Sequence, residues 1–341
     1  MNNIKKLIKK TSIYLSITAV LVAIAISFAL PISAATTLTP GGMTFGVKLQ
    51  TDGVLVVGIS DITGISGKKV TPGAIAGLLE KDIIKSINGR EINTVDELTK
   101  AISSSEGRTL GLVVERDGSE MKIFLVPVKG VDGSYKAGLW VRDSTAGIGT
   151  VTYFDKQTGE FAGLGHGICD ADTGTLMPLR TADVTNVHIS SIVKGQVGAP
   201  GEIRGYLTSS LRGILLGNTE CGVHGRFNTP PSSLYGAMEV AELSEVKLGD
   251  ASLLCTLADG QIGEYKIKIE KINESGNIKN FVVKVTDPTL LERTGGIVQG
   301  MSGSPILQNG KLVGAITHVM VNDPKSGYGI YIGNMLDAAN G

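Results

Sequence analysis

From Gly138 to the C-terminus the chain is written in short runs of Val, Ile and Thr broken by glycine, with few helix signals before "NMLDAAN" (Asn334–Asn340). Runs this short and this punctuated do not build packed helices; they suit strands joined by tight turns. A stretch of this length and pattern fits a β-barrel or a pair of small barrels. The whole chain, 341 residues, carries 46 glycines and only 5% aromatics, in keeping with a mainly β protein. Lys+Arg and Asp+Glu are both 32, so the formal charge is zero and there is no electrostatic case for nucleic-acid binding.

The N-terminus is set apart. Lys5, Lys6, Lys9 and Lys10 precede an uncharged stretch from Thr11 through Val47, whose apolar part, Ile13 to Leu30, is near the lower length limit of a membrane span. Positive charge before an apolar run keeps the N-terminus cytoplasmic and exports the rest. "PISAA" (Pro31–Ala35) has the small residues that suit signal peptidase. Anchor and cleavable signal both fit, and the length of the run favours an anchor. Cys169, Cys221 and Cys255 are an odd set for an exported chain, so they are not a disulfide framework, although one bridge can form. The organisation expected is a membrane anchor or signal over 1–35, a linker over 36–42 ("TTLTPGG"), a first domain over 43–130, a polar boundary ("KGVDGSYK"), and a second domain over 138–341.

The first domain has a legible layout. "FGVKLQ" and "GVLVVGIS" are strand-like, and Pro72-Gly73 opens a short helix. "DIIKSINGREI" is strand, Asn88-Gly89 turn, strand. Thr94 with Glu97 three residues later makes a capping box for an amphipathic helix, and "LGLVVERDGSEMKIFLVPV" is a hairpin turning at Asp117-Gly118. These residues, "TPGAIAGLLEKDIIKSINGREI" above all, resemble an α+β PDZ domain of the bacterial extracytoplasmic type. The resemblance implies β-augmentation by an extended peptide tail. It puts the carboxylate loop at Thr44, Phe45, Gly46 and Val47, with Gly46 allowing close backbone approach.

In the second domain, "GMSGS" surrounds Ser302 with small residues. A serine hydroxyl needs a base to take its proton and donors to hold the oxyanion. Gly300 and Gly303 allow a tight turn, and the N–H groups of Gly300 and Ser302 are the expected oxyanion hole. The string resembles the nucleophile loop of chymotrypsin-like serine peptidases, followed by the strand "KLVGAITHV". Of four histidines, His188 and His318 fall on strands and look structural, and His224 sits in "CGVHGRF". His166, with glycine on both sides, has the room to meet a substrate and is the expected base. Alternation in "NFVVKVTDPTLL" places Phe281, Val283, Val285 and Asp287 on one face. A buried carboxylate there needs a partner, and an imidazole Nδ1–H suits it. The alternatives are an Asp287 that caps a turn, or Asp170 or Asp172 serving His166 locally.

The apolar N-terminus, the PDZ-like segment, "GLWVRDSTAGIGTVTYFD", "GLGHGICDADTG" and "VTDPTLLERTGGIVQGMSGSPILQNGK" occur in the order found in the stage IV sporulation protein B family, which this chain resembles over nearly its whole length. The resemblance implies a transmembrane or signal helix, a PDZ domain and a chymotrypsin-like double β-barrel peptidase domain, with a triad of His166, Asp287 and Ser302. It implies a self-cleaving, cofactor-free and metal-free extracytoplasmic serine endopeptidase in the forespore intermembrane space. That enzyme acts on a membrane-bound inhibitory protein and so triggers intramembrane processing of the late mother-cell sigma factor precursor. Two other readings stay open: a non-catalytic membrane-tethered PDZ adaptor, and a barrel with a structural zinc site on His166, Cys169, Cys221 and His224.

Overall fold

Strand β1 (Thr44–Ile59) belongs to two bodies at once in the computed structural model, which describes residues 36–257 and 261–341. Phe45, Val47 and Leu49 enter one core, whereas Val54 and Val56 enter another. Gly53, at φ 93°, marks the change; the left-handed region is open to glycine and strained for other residues there. The expected membrane segment, 1–35, lies outside the described residues. Among those described, no helix is long and apolar enough to cross a membrane.

The second half of β1 joins β2 (Ile83–Ile87), β3 (Leu110–Arg116) and β4 (Ser119–Leu125) in one sheet. Helices α1 (Pro72–Ala76) and α2 (Val95–Ser103) accompany this sheet. Its turns are those the sequence predicts: Asn88 and Gly89 have φ of 51° and 80°, and Asp117 and Gly118 have 50° and 73°. The capping box forms, with the Glu97 N–H donating to Thr94 Oγ1 and the Thr94 N–H to the Glu97 carboxylate, both at 3.2 Å. Arg116 forks onto the fully buried Asp82 at 2.6 and 2.7 Å.

The first half of β1 is a barrel strand. With β5 (Leu139–Phe154), β6 (Glu160–Gly163), β7 (Leu179–Val193), β8 (Glu202–Thr219) and β9 (Gly222–Phe227) it closes the antiparallel ring β1-β5-β6-β9-β8-β7. A second closed barrel follows: β10 (Gly249–Thr256), β11 (Ile262–Ile272), β12 (Phe281–Val285), β13 (Pro305–Gln308), β14 (Lys311–Met320) and β15 (Asp323–Tyr331), in ring order β10-β11-β12-β15-β14-β13. Counting strands from the start of each barrel, both rings run first, second, third, sixth, fifth, fourth. The chain is therefore a double Greek-key barrel with an αβ layer grown from one strand. A final helix, α4 (Ile332–Asn340), packs on the second barrel through Ile332 and Met335.

Two expectations are corrected here. Residues Thr44, Phe45, Gly46 and Val47 are not a peptide-binding edge. They pair with Gly147–Thr150 of β5 along one side (Thr44 with Thr150, Val47 with Gly147), and Gly46 and Val47 pair with Thr185 and Val184 of β7 on the other. Phe45 and Val47 are buried in the barrel core, and Gly46 and Val47 are paired on both edges, which closes the expected loop to an added strand. Nor is 36–42 a free linker: Thr39 and Pro40 pair with Phe154 and Tyr153, and Leu38 and Thr39 are buried.

Candidate active site

The serine loop starts where β12 ends. Pro288 opens helix α3 (Pro288–Thr294), its fixed φ suiting the first turn, and Gly295 closes it in the left-handed region at φ 75°. The loop then runs to Ser302, with Gly300 at φ 96° and Gly303 at φ 94°. A Cβ on Gly303 would be driven into the Thr150 carbonyl and the Leu164 N–H, so this turn needs glycine for space as well as for φ. The first barrel grips the loop through β5. Thr150 Oγ1 donates to the Gly300 carbonyl and Thr152 Oγ1 to that of Gly303, each at 2.8 Å, and the Thr150 N–H to that of Ser302 at 2.9 Å. Among the described residues the N–H groups of Gly300 and Ser302 have no hydrogen-bond acceptor. The Ser302 hydroxyl donates to the Thr317 carbonyl at 2.7 Å.

His166 sits in the matching loop of the other barrel, between its third and fourth strands, as Ser302 does in its own. Leu164 and Gly165 approach it with φ of 66° and 67°; a left-handed leucine is uncommon and marks a locally constrained backbone. The His166 Nδ1 lies 2.9 Å from the Gly167 carbonyl. A carbonyl can only accept, so Nδ1 carries the proton and Nε2 keeps its lone pair. Burial lowers the His166 pKa and so favours the neutral ring, an effect partly offset by the hydrogen bond to the Gly167 carbonyl.

His166 and Ser302 line one cavity of about 480 Å³, together with Gly300, Thr317 and His318. His318 was expected to be a structural strand residue. Its ring lies 4.7 Å from that of His166, tilted by 35°, and its pKa falls to about 4 through burial, with His166 and Lys279 adding to the effect. Strand parity alone does not reveal this, because the β14–β15 pairing shifts register between Ile316 and His318, and such irregularities re-aim side chains. Cys169 also reaches the cavity, but burial, Glu220 and Asp170 raise its pKa, the wrong direction for a nucleophilic thiolate.

The expected acid is not brought to the base. Asp287 is the N-cap of α3: its Oδ1 accepts the Thr289 and Leu290 N–H groups at 3.0 and 3.1 Å, and its Oδ2 the Lys266 N–H at 3.3 Å. Burial alternates through Phe281, Val283 and Val285 as predicted, but the strand stops there, so the buried face does not extend to residue 287. Asp170 and Asp172 are also engaged elsewhere. Asp170 accepts from Thr173 and Arg142, and Asp172 accepts from Arg142 at 2.9 Å. His188 lies against Tyr206 on the first barrel and His224 is on β9. All three cysteines are free. Among the described residues no group of three or more His, Cys, Asp or Glu is placed to hold a metal, the His166/Cys169 and Cys221/His224 pairs included.

A Lactococcus lactis protein described as "Putative zinc metalloprotease LL2128" is 34% identical over 110 residues, which is 32% of this chain and 24% of that protein's length. Among solved structures, the active form of the Rv3671c protease from M. tuberculosis is similar at 16% identity and TM-score 0.34, over 57% of this chain and 72% of that one. The HtrA-type protease AlgW with a decapeptide is similar at 13% identity and TM-score 0.34, over 58% and 53%. Residues 133–336, spanning five strands of the first barrel and all of the second, match the family model described as SpoIVB peptidase S55, and the chain belongs to that peptidase family.

Proposed function

We propose that the protein is a serine endopeptidase in which Ser302 is the nucleophile, His166 the general base, and the Gly300 and Ser302 N–H groups the oxyanion hole. The observation that carries this reading is the convergence of His166, Ser302 and two unengaged N–H donors on one cavity between the barrels. In the reaction the hydroxyl leaves the Thr317 carbonyl, turns to Nε2, and attacks the substrate carbonyl as the imidazole takes its proton. The two N–H groups meet the developing oxyanion, and the imidazolium returns the proton to the leaving amine. Water then repeats the sequence on the acyl-enzyme. The Gly167 carbonyl fixes the tautomer of His166, a task a carboxylate performs in the familiar triad. Asp287 serves the nucleophile indirectly, as the cap of the helix that leads into its loop.

The wider reading is that of a sporulation enzyme held outside the cytoplasm by its N-terminal segment, cleaving itself and a membrane-bound inhibitory protein. The αβ layer acts as a PDZ-type module for peptide tails, by a surface other than Thr44–Val47. Wild-type and Ser302→Ala protein, incubated and mapped by mass spectrometry, test the enzyme. Fragments that appear equally in both would end the serine-peptidase reading. N-terminal sequencing tests self-processing, since ends only at Ala34 or Ala35 assign the cut to signal peptidase.

A further inference from the structure

The walls of the cavity beside Ser302 carry more information than its catalytic groups. Ile297 and Val298 lie in the serine loop ahead of Ser302, Val319 and Val321 follow Thr317, and Leu164 and Ile168 flank His166. Among the described residues no Asp, Glu, Lys or Arg side chain lines this space. Ile297 and Val298 are themselves part of the second barrel's core, so this wall is fixed by packing and is not a mobile loop.

The backbone beside it has an unused edge. β13 pairs with β14 only as far as Ala315, and β15 covers the opposite edge of β14. The His318 carbonyl faces β15, close to Gly327. Past the register shift at Thr317 alternation resumes, so the Val319 N–H and C=O face away from β15, toward the cavity. The Ser302 bond to the Thr317 carbonyl agrees with that direction.

We propose that substrates lie as an added strand against Thr317–Val319 and that the cavity selects an uncharged aliphatic side chain on the acyl side of the scissile bond. A charged side chain entering a wall of Ile297, Val298 and Val319 loses its hydration and meets no counter-charge. An aliphatic one gains burial at about 25 cal/mol per Å². Discrimination against charge is therefore built into the walls, and discrimination among Val, Leu, Ile and Met is weaker, because methylene differences are worth only about 10–200-fold. The proposal rests on the serine-peptidase reading.

The test is a proteome-derived peptide mixture digested by wild-type and Ser302→Ala protein, with cut sites read by mass spectrometry. Cuts lost in Ser302→Ala and preceded by Val, Leu, Ile or Met, with Lys, Arg, Asp and Glu depleted at least about tenfold at that position, are the expected result. Ser302-dependent cuts that follow charged residues would overturn the proposal and leave the peptidase reading intact. An absence of Ser302-dependent cuts defeats both. A Val319→Asp variant adds an independent arm: acceptance of Lys or Arg on the acyl side should rise. Because Val319 packs on the core, Val321→Asp, at a half-exposed position, is run beside it. Folded variants that both keep the wild-type preference would also overturn the assignment of this wall.

Discussion

The Ser302 hydroxyl is bonded to the Thr317 carbonyl, the same carbonyl that the open edge of β14 presents to the cavity. A substrate strand laid on that edge offers an amide N–H to Thr317 and releases the hydroxyl toward His166. Replacing His166 with Ala should then lower kcat by about 10⁴-fold or more, since an unassisted serine is a poor nucleophile. Single-turnover acylation, with circular dichroism to show an unchanged fold, checks this.

Asp287 separates two roles cleanly. If it caps α3, Asp287→Asn and Asp287→Ser keep the helix start and should retain activity within about tenfold, while Asp287→Ala costs about 1 kcal/mol of stability. An acid that steadied the imidazole would instead lose about 10⁴-fold in kcat on conversion to Asn. Steady-state kinetics and urea unfolding on the three variants distinguish these outcomes.

The pH dependence follows from the two histidines. Both have pKa values depressed by burial, and the base must be neutral to work. The acid limb of kcat/KM should therefore lie below the ordinary imidazole value of about 6.5. In unfolding, the denatured chain binds more protons than the folded one as pH falls through about 6.5 toward the folded values. The histidine contribution to stability is thus complete above about 6.5 and is lost toward pH 4 for His318. Thermal melts of wild type and His318→Gln across this range should show a shallower acid loss in the variant.

Gly303→Ala should abolish peptide cleavage and lower the melting temperature. The added methyl has no room against Thr150 and Leu164, and φ 94° is unfavourable for alanine. Differential scanning fluorimetry and the peptide assay read both effects.

In the αβ layer, Arg116→Met leaves the fully buried Asp82 without its partner, with the Leu79 N–H still donating to it. Breaking such a pair costs about 3–5 kcal/mol. Double replacement, Asp82→Asn with Arg116→Met, should recover part of the loss in equilibrium unfolding.

Local rules made much of this molecule legible. The Asn88-Gly89 and Asp117-Gly118 turns, the Thr94–Glu97 capping box and the alternation over Phe281–Val285 are all short-range physics, and all form as expected. The small-residue setting of Ser302 and the glycine flanks of His166 also sufficed to pick two residues that meet in one cavity. What escaped was long-range. Strand parity ends at Val285, where a proline-started helix takes over and turns Asp287 into a cap. The double pairing of Gly46 and Val47 depends on β7, which lies more than a hundred residues away, and no local pattern announces it. His318 was hidden by a register shift between two strands.

The continuity of β1 has a practical corollary. The match to the family model begins at residue 133, yet the strand that seals the first barrel between β5 and β7 is Thr44–Ile59. A fragment cut at that point would carry both candidate reactive side chains and still have a gaping seam, with two rows of amide groups left to pair with whatever chain they meet. The border of the family match and the border of a closed barrel differ in this protein, and the first barrel is sealed only when Thr44–Thr51 is present as its missing stave.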